Sequence, residues 1–167
     1  MYSVAELVKQ LELEPHPEGG YFKETYRSEG SIPLGSLSSK FDGDRNYSTG
    51  IYYLLQSEDF SSFHRIHQDE MWHFYSGDAL EITMISEDGV LRSIQLGQDL
   101  GNGDVFQFTV PKQYWFAARV TIPNSYALVG CTVAPGFDFR DFELADRDEL
   151  IAQFPQHQDV ITSLTRV

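Results

Sequence analysis

Between Ser48 and Ala134 the chain offers no run long enough for a sizeable helix. Turn signals recur there at Ser57-Glu58-Asp59, Gly77-Asp78, Glu87-Asp88-Gly89 and Gly101-Asn102-Gly103. The segments between them are short and rich in β-branched and aromatic residues, as in Thr49–Leu55, Trp115–Ile122 and Tyr126–Ala134. Leu80–Ile85 alternates apolar and polar almost strictly, which puts one face toward a core and one outward. Short strands with a turn every ~8–12 residues read as an antiparallel sandwich or barrel.

The strand set extends upstream to Tyr21–Arg27, where Tyr21, Lys23, Thr25 and Arg27 share one face and Phe22, Glu24 and Tyr26 the other. The polar set beginning at Tyr21 is expected to line a pocket. Gly19-Gly20, just before it, permits an unusual turn. Helices are expected only at the ends. Ser3 and Glu6 form a capping-box pair ahead of Val4, Leu7, Val8 and Leu11, predicting a helix over about 3–13. Asp146 and Glu149 frame a second start, giving a helical segment over about 146–165. Gly30–Arg45 is read as a long loop, and Phe137–Glu143 as an edge strand or packing arm. Residues 1–167 are taken as one domain, with the barrel over about 19–135.

The 25 acids against 12 bases give a formal charge of −13, which argues against nucleic acid and anionic membranes as partners. Cys131 is the only cysteine, so no intrachain disulfide forms, and its apolar neighbours mark it as a small buried hydrophobe. No signal-peptide pattern or membrane-length apolar run is present, and a cytoplasmic protein is expected.

Chemistry concentrates in Phe63–Gly77, which holds three of the five histidines. Strand alternation puts Ser62, His64 and Ile66 on one face and Glu70, Trp72 and Phe74 on one face of the next strand, read as its hairpin partner. His64, Glu70 and Gly77 resemble the first signature of the cupin superfamily, His-x-His, three or four residues, Glu, six residues, Gly. At the shorter spacing Ile66 takes the second histidine's place; at the longer one only Glu70 matches. Gly103-Asp104-Val105 through Pro111–Phe116 is similar to the second signature, with Phe116 where that signature has histidine. His16–Ser28 and Val129–Phe139 extend the likeness to the group called cupin type 5, whose function is not established. The acid, Gly-Gly, aromatic, then Glu pattern at Glu18–Glu24 is more distantly similar to the cupin epimerases of deoxysugar nucleotides.

The resemblance implies an all-β, antiparallel cupin β-barrel or jelly roll with a site in its mouth, most often metal-bearing. It also implies a homodimer. The residues themselves argue against a metal, because Ile66 and Phe116 cannot ligate one. The expected site has no cofactor. It uses His64 and Glu70 as an acid–base pair with Tyr21 as a second acid, and Glu18, Ser62, Trp72, Phe74 and Phe116 around a small polar ligand, sugar-like or a ring acid. The competing readings are a pure binding or sensor module, a metal-dependent enzyme with non-standard ligands, and a His–Glu pair that merely satisfies itself.

Overall fold

The computed structural model describes residues 2–167. Helix α1 (Val4–Gln10) starts at the foreseen capping box: the Ser3 N–H donates to Glu6 Oε2 at 2.8 Å and the Glu6 N–H to Ser3 Oγ at 3.3 Å. Thirteen strands follow in the described residues, β1 (Glu14–Pro15), β2 (Tyr21–Arg27), β3 (Ser31–Ile32), β4 (Arg45–Asn46), β5 (Thr49–Gln56), β6 (Phe60–Arg65), β7 (Asp69–Gly77), β8 (Leu80–Ile85), β9 (Leu91–Leu96), β10 (Gln107–Val110), β11 (Trp115–Val120), β12 (Tyr126–Ala134) and β13 (Glu143–Leu144). The chain ends in α2 (Arg147–Gln153) and α3 (Gln158–Ser163).

The strands form two main antiparallel sheets, ordered β1-β2-β5-β12-β7-β10 and β13-β6-β11-β8-β9, with β3-β4 as a small ribbon. The sheets face each other across a core containing Leu55, Trp72, Ile82, Met84, Phe116 and Val129. They do not join edge to edge into a closed barrel. On the outer side of the first sheet, α1 covers Leu54 and Leu128 with Leu7. On the second, Leu150, Phe154, Ile161 and Leu164 from the C-terminal helices cover Phe63, Ile85 and Trp115. Each such buried side chain contributes roughly 1.5–3 kcal/mol of burial free energy, which is why these short helices hold without long intrinsic helicity.

Two features of this plan differ from the pattern in the sequence. Strands β6 and β7 are not hairpin partners. They belong to opposite sheets, so Ile66-His67-Gln68 carries the chain across the sandwich. And β6 bulges: Phe116 pairs with His64 but Ala118 pairs with Ser61, so β6 carries one residue more than β11 over this interval. Ser61 and His64 therefore point inward together, while Ser62 is turned toward the C-terminal arm and accepts from Arg166 Nη1 at 2.8 Å. The long loop is also more ordered than its composition suggests, holding β3, a turn of 3₁₀ helix at Leu34–Ser36 and β4.

Candidate functional site

The site lies at one end of the sandwich, where three chain segments converge. The first is the hook His16-Pro17-Glu18-Gly19-Gly20. Gly19 and Gly20 have φ of 114° and 71°, and a Cβ on Gly19 would stand 2.1 Å from the Phe60 carbonyl oxygen. Only glycine fits there. The Gly20 N–H donates to Asp59 Oδ2 at 2.8 Å, and the Ser62 N–H to the Glu18 carbonyl at 2.8 Å, so the hook is fastened to β6. The second segment is β6 with His64. The third is the start of β7, where Glu70 sits opposite Val133 of β12.

Glu18 is buried and directly paired. Its Oε2 lies 2.9 Å from His64 Nε2, and its Oε1 accepts from Ser61 Oγ at 2.9 Å. His64 Nδ1 lies 2.7 Å from the Ser62 carbonyl oxygen, which can only accept, so Nδ1 carries a proton. Burial works to raise the Glu18 carboxyl, but the charge of His64, the His16 ring and the hydrogen bonds outweigh it and hold Glu18 at about 2. Burial works to lower His64, but Glu18 and then Glu70 outweigh it and raise it. The pair is an imidazolium–carboxylate. The Phe116 ring packs on His64 at a centroid distance of 4.1 Å.

Glu70 behaves in the opposite way. Burial lifts its carboxyl from 4.5 to about 7, only partly opposed by His64 and reinforced by Glu18. The Cys131 thiol lies beside it and slightly opposes that rise, and burial keeps the thiol protonated. Tyr53 donates its hydroxyl to the Gly19 carbonyl at 2.6 Å, and burial pushes it well above its usual range.

These groups line one chamber, with Phe22, Thr49, Ile51, Ile66 and Val133 as apolar wall and Phe137 and Phe142 near its opening. It offers about 40 Å³ to the centres of water-sized molecules. At roughly 10–15 Å³ per water, it takes only a few heavy atoms. A larger outer groove of about 360 Å³, lined by Glu24, Arg27, Asp138 and Phe139, shares Phe22, Thr49, Ile51 and Phe137 with it. The Phe137–Phe142 strap over the site is fixed from below. Asp141 accepts from Arg45 Nε at 2.8 Å and Nη2 at 2.6 Å, and from Gln68 Nε2 at 2.7 Å.

Of the residues expected at the site, the chamber brings together Glu18, His64 and Glu70. Their arrangement differs from the expected one, because Glu18 rather than Glu70 is the direct partner of His64. Tyr21 is not there. It lies on the outer face with Leu54 under α1, because Phe22 takes the inward position on β2. Ser62 is turned away by the bulge, and Ser61 replaces it. Trp72, Phe74 and Phe116 belong to the packed core beneath the chamber. The sequence reading overlooked His16, Ser61 and the place of Cys131 beside Glu70. The signal for His16 was a titratable pair, His16 and Glu18, directly before a Gly-Gly turn.

The residues were tested against the metal that this kind of site most often holds. His64 has both nitrogens engaged, by Glu18 and by a carbonyl. Phe116 packs against His64 where a further ligand would stand, and it offers no donor. Among the described residues no group of three or more His, Cys, Asp or Glu side chains is arranged to hold a cation. The donor set does not fit.

Two sheets in this order, with ionisable side chains from β6 and β7 meeting at one end, define a cupin. Residues 5–145 match the family described as "Cupin superfamily (DUF985)", and the chain belongs to that family. It is 34% identical over 159 residues to the uncharacterized protein YML079W of Saccharomyces cerevisiae, covering 89% of this chain and 78% of the yeast protein. Protein SO0799 of Shewanella oneidensis superposes with a TM-score of 0.90 at 42% identity, covering 99% of both chains. A hypothetical protein from Leishmania major superposes with a TM-score of 0.91 at 32% identity, covering 99% of this chain and 100% of that one. Oxalate decarboxylase from Bacillus subtilis shares the fold at 14% identity and a TM-score of 0.55, over 90% of this chain and 36% of that enzyme. No described helix is long and apolar enough to cross a membrane.

Proposed function

We propose that the protein is a metal-independent acid–base enzyme that moves a proton at a carbon next to the carbonyl of a small polar compound. The observation that carries this reading is Glu70, a carboxyl lifted to about 7 inside a chamber that also contains a fixed imidazolium–carboxylate pair. A base poised near the working pH has the right balance of protonation and driving force. As carboxylate, Glu70 takes the α-proton. The C–H electron pair becomes the new C=C bond, and the carbonyl π pair moves to oxygen. The His64 charge, held in place by Glu18, lowers the cost of that negative charge. Protonated Glu70 then returns the proton to the former carbonyl carbon, while the substrate's own α-hydroxyl proton passes to the enolate oxygen and the α-carbon becomes the new carbonyl.

This one-base cycle supports isomerisation better than epimerisation. Epimerisation needs an acid on the opposite face, and Tyr21 is outside the chamber while the Tyr53 hydroxyl is committed to Gly19. The chamber's size favours a reacting end of few heavy atoms, with any larger part in the outer groove.

The test is deuterium wash-in at the α-carbon of small hydroxycarbonyl compounds in D₂O, followed by proton NMR. The wild-type rate should rise with pH through an apparent pKa of about 7, and Glu70→Gln should reduce it by at least ~100-fold. A binding module would bind such compounds without exchange in either protein, and that result would replace the enzyme reading.

A further inference from the structure

His16 plays no part in the cycle just described, yet it lines the same chamber. Its Nδ1 accepts the Glu18 backbone N–H at 3.2 Å. A nitrogen that accepts a hydrogen bond from an amide carries no proton, so in the neutral ring the proton is on Nε2. Among the described residues nothing accepts from that Nε2–H. Of the other donors around the chamber, His64 is taken by Glu18 and Ser62, Ser61 by Glu18 and Tyr53 by Gly19, while the Thr49 hydroxyl accepts from the Phe137 N–H and Cys131 lies beside Glu70. The ring itself is held edge-on against Phe22, with centroids 4.7 Å apart at 80°, and against Tyr53 at 6.1 Å.

We infer that His16 is a catalytic residue, the neutral imidazole whose Nε2–H donates to the substrate's carbonyl oxygen as that oxygen becomes an enolate. The inference rests on the enolisation reading for what the oxygen becomes, but the tautomer and the free donor stand apart from it. Two charged groups, Glu18 and His64, bear on the ring together with its burial. Burial lowers the His16 basicity, the charge of Glu18 works against that, and the His64 cation adds to it, with a net lowering. Glu18 lies 3.7 Å from Nδ1 but spends its charge on His64. A neutral imidazole is a weak acid that stays a donor throughout the pH range in which Glu70 titrates. It also leaves the chamber with one cation rather than two, so the product enol is not trapped as an ion pair. In atom terms His16 lends its hydrogen bond and keeps its proton, and the proton that moves belongs to Glu70.

The experiment uses the intact protein labelled with ¹⁵N at histidine. The His16 resonances should report the Nε2–H tautomer across the range around pH 7 in which Glu70 titrates. An Nδ1–H tautomer, or protonation midway through that range, would overturn the inference. Acetohydroxamate, a planar mimic of an enediolate, should move the His16 Nε2–H proton downfield; no movement at any concentration would also overturn it. Neither readout depends on turnover, so they still decide the matter if no deuterium exchange occurs and the enolisation reading falls. Where exchange does occur, His16→Phe keeps a ring against Phe22 but removes the donor. It should lower kcat by roughly 100-fold with KM changed less than about threefold, and His16→Gln, which restores an N–H, should recover part of the loss. A His16→Phe kcat within about threefold of wild type, in protein with an unchanged Tm, would count against the assignment.

Discussion

Two buried ion pairs lie close together in this molecule and do opposite things. Arg45–Asp141 is bidentate, with both side chains 1% exposed, and every remaining Arg45 donor finds Asp42 or the Gly43 and Asp44 carbonyls. Asp141 and Asp42 raise the Arg45 guanidinium further above its already high range, so it remains a cation at any accessible pH. It lines neither the chamber nor the outer groove, and it holds the Phe137–Phe142 strap in place. His64–Glu18 is just as buried, but it faces a chamber and a second carboxyl, Glu70. What separates the structural pair from the one proposed to be reactive is not burial or distance. It is whether a third titratable group is left beside the pair without a counter-charge of its own.

The largest test of this contrast is Asp141→Ala. It strands a buried guanidinium, and breaking a buried pair typically costs about 3–5 kcal/mol. For a chain of this size the thermal midpoint should fall by roughly 10 °C. A fall of only a degree or two would show that the strap is held by its phenyl rings rather than by charge.

Next is Glu70→Gln. Glu70 is neutral in the folded protein up to about pH 7 but ionised in the unfolded chain above 4.5. A raised folded-state pKa means that stability present below pH 4.5 is lost as pH rises through 7. The loss at pH 8 is about 3 kcal/mol. Glu70→Gln should therefore raise the thermal midpoint by several degrees at pH 8 and leave it nearly unchanged at pH 4. Equal effects at both pH values would mean that Glu70 carries no such penalty. Glu18 runs the other way. Its pKa of about 2 gives stability that is present above 4.5 and lost only as the solution is acidified toward 2.

The smallest effect belongs to Cys131→Ala. The thiol beside Glu70 favours its ionised form. Removing it should move the Glu70 midpoint, read in the pH dependence of exchange, upward by roughly half a unit to one unit. An unmoved midpoint would remove Cys131 from the account.

The sequence carried most of the fold and part of the site. Strand alternation and turn residues are local properties, so β5, β8, β11 and β12 could be located within a residue or two of where they lie. The Ser3–Glu6 and Asp146–Glu149 start signals mark the terminal helices for the same reason. What local pattern could not give was the sheet to which a strand belongs. A short link such as Ile66–Gln68 looks the same whether it turns within a sheet or crosses between two, so β6 and β7 read as a hairpin. Tyr21 and Phe22 are both good strand formers, and only the Gly19-Gly20 hook decides which of them faces inward. Glu18 is legible as a ligand-side residue but not as the partner of His64, because their contact spans 46 positions of chain and nothing local announces it.

The bulge in β6 turns the position of His64 into a question of parity. In a regular strand, residues three apart face opposite sides; here Ser61 and His64 are three apart and meet the same carboxylate. Deleting one residue between them would leave them two apart, the regular spacing of a shared face, so both would still meet Glu18 and only the bulge would disappear. Straightening the strand at its present length would instead turn one of the two away from Glu18. Substituting Ser62 leaves the count intact. Relatives should therefore vary freely in the type of residue at position 62, and an alignment gap of one at this point would mark a straightened strand that still keeps the His64–Glu18 pair.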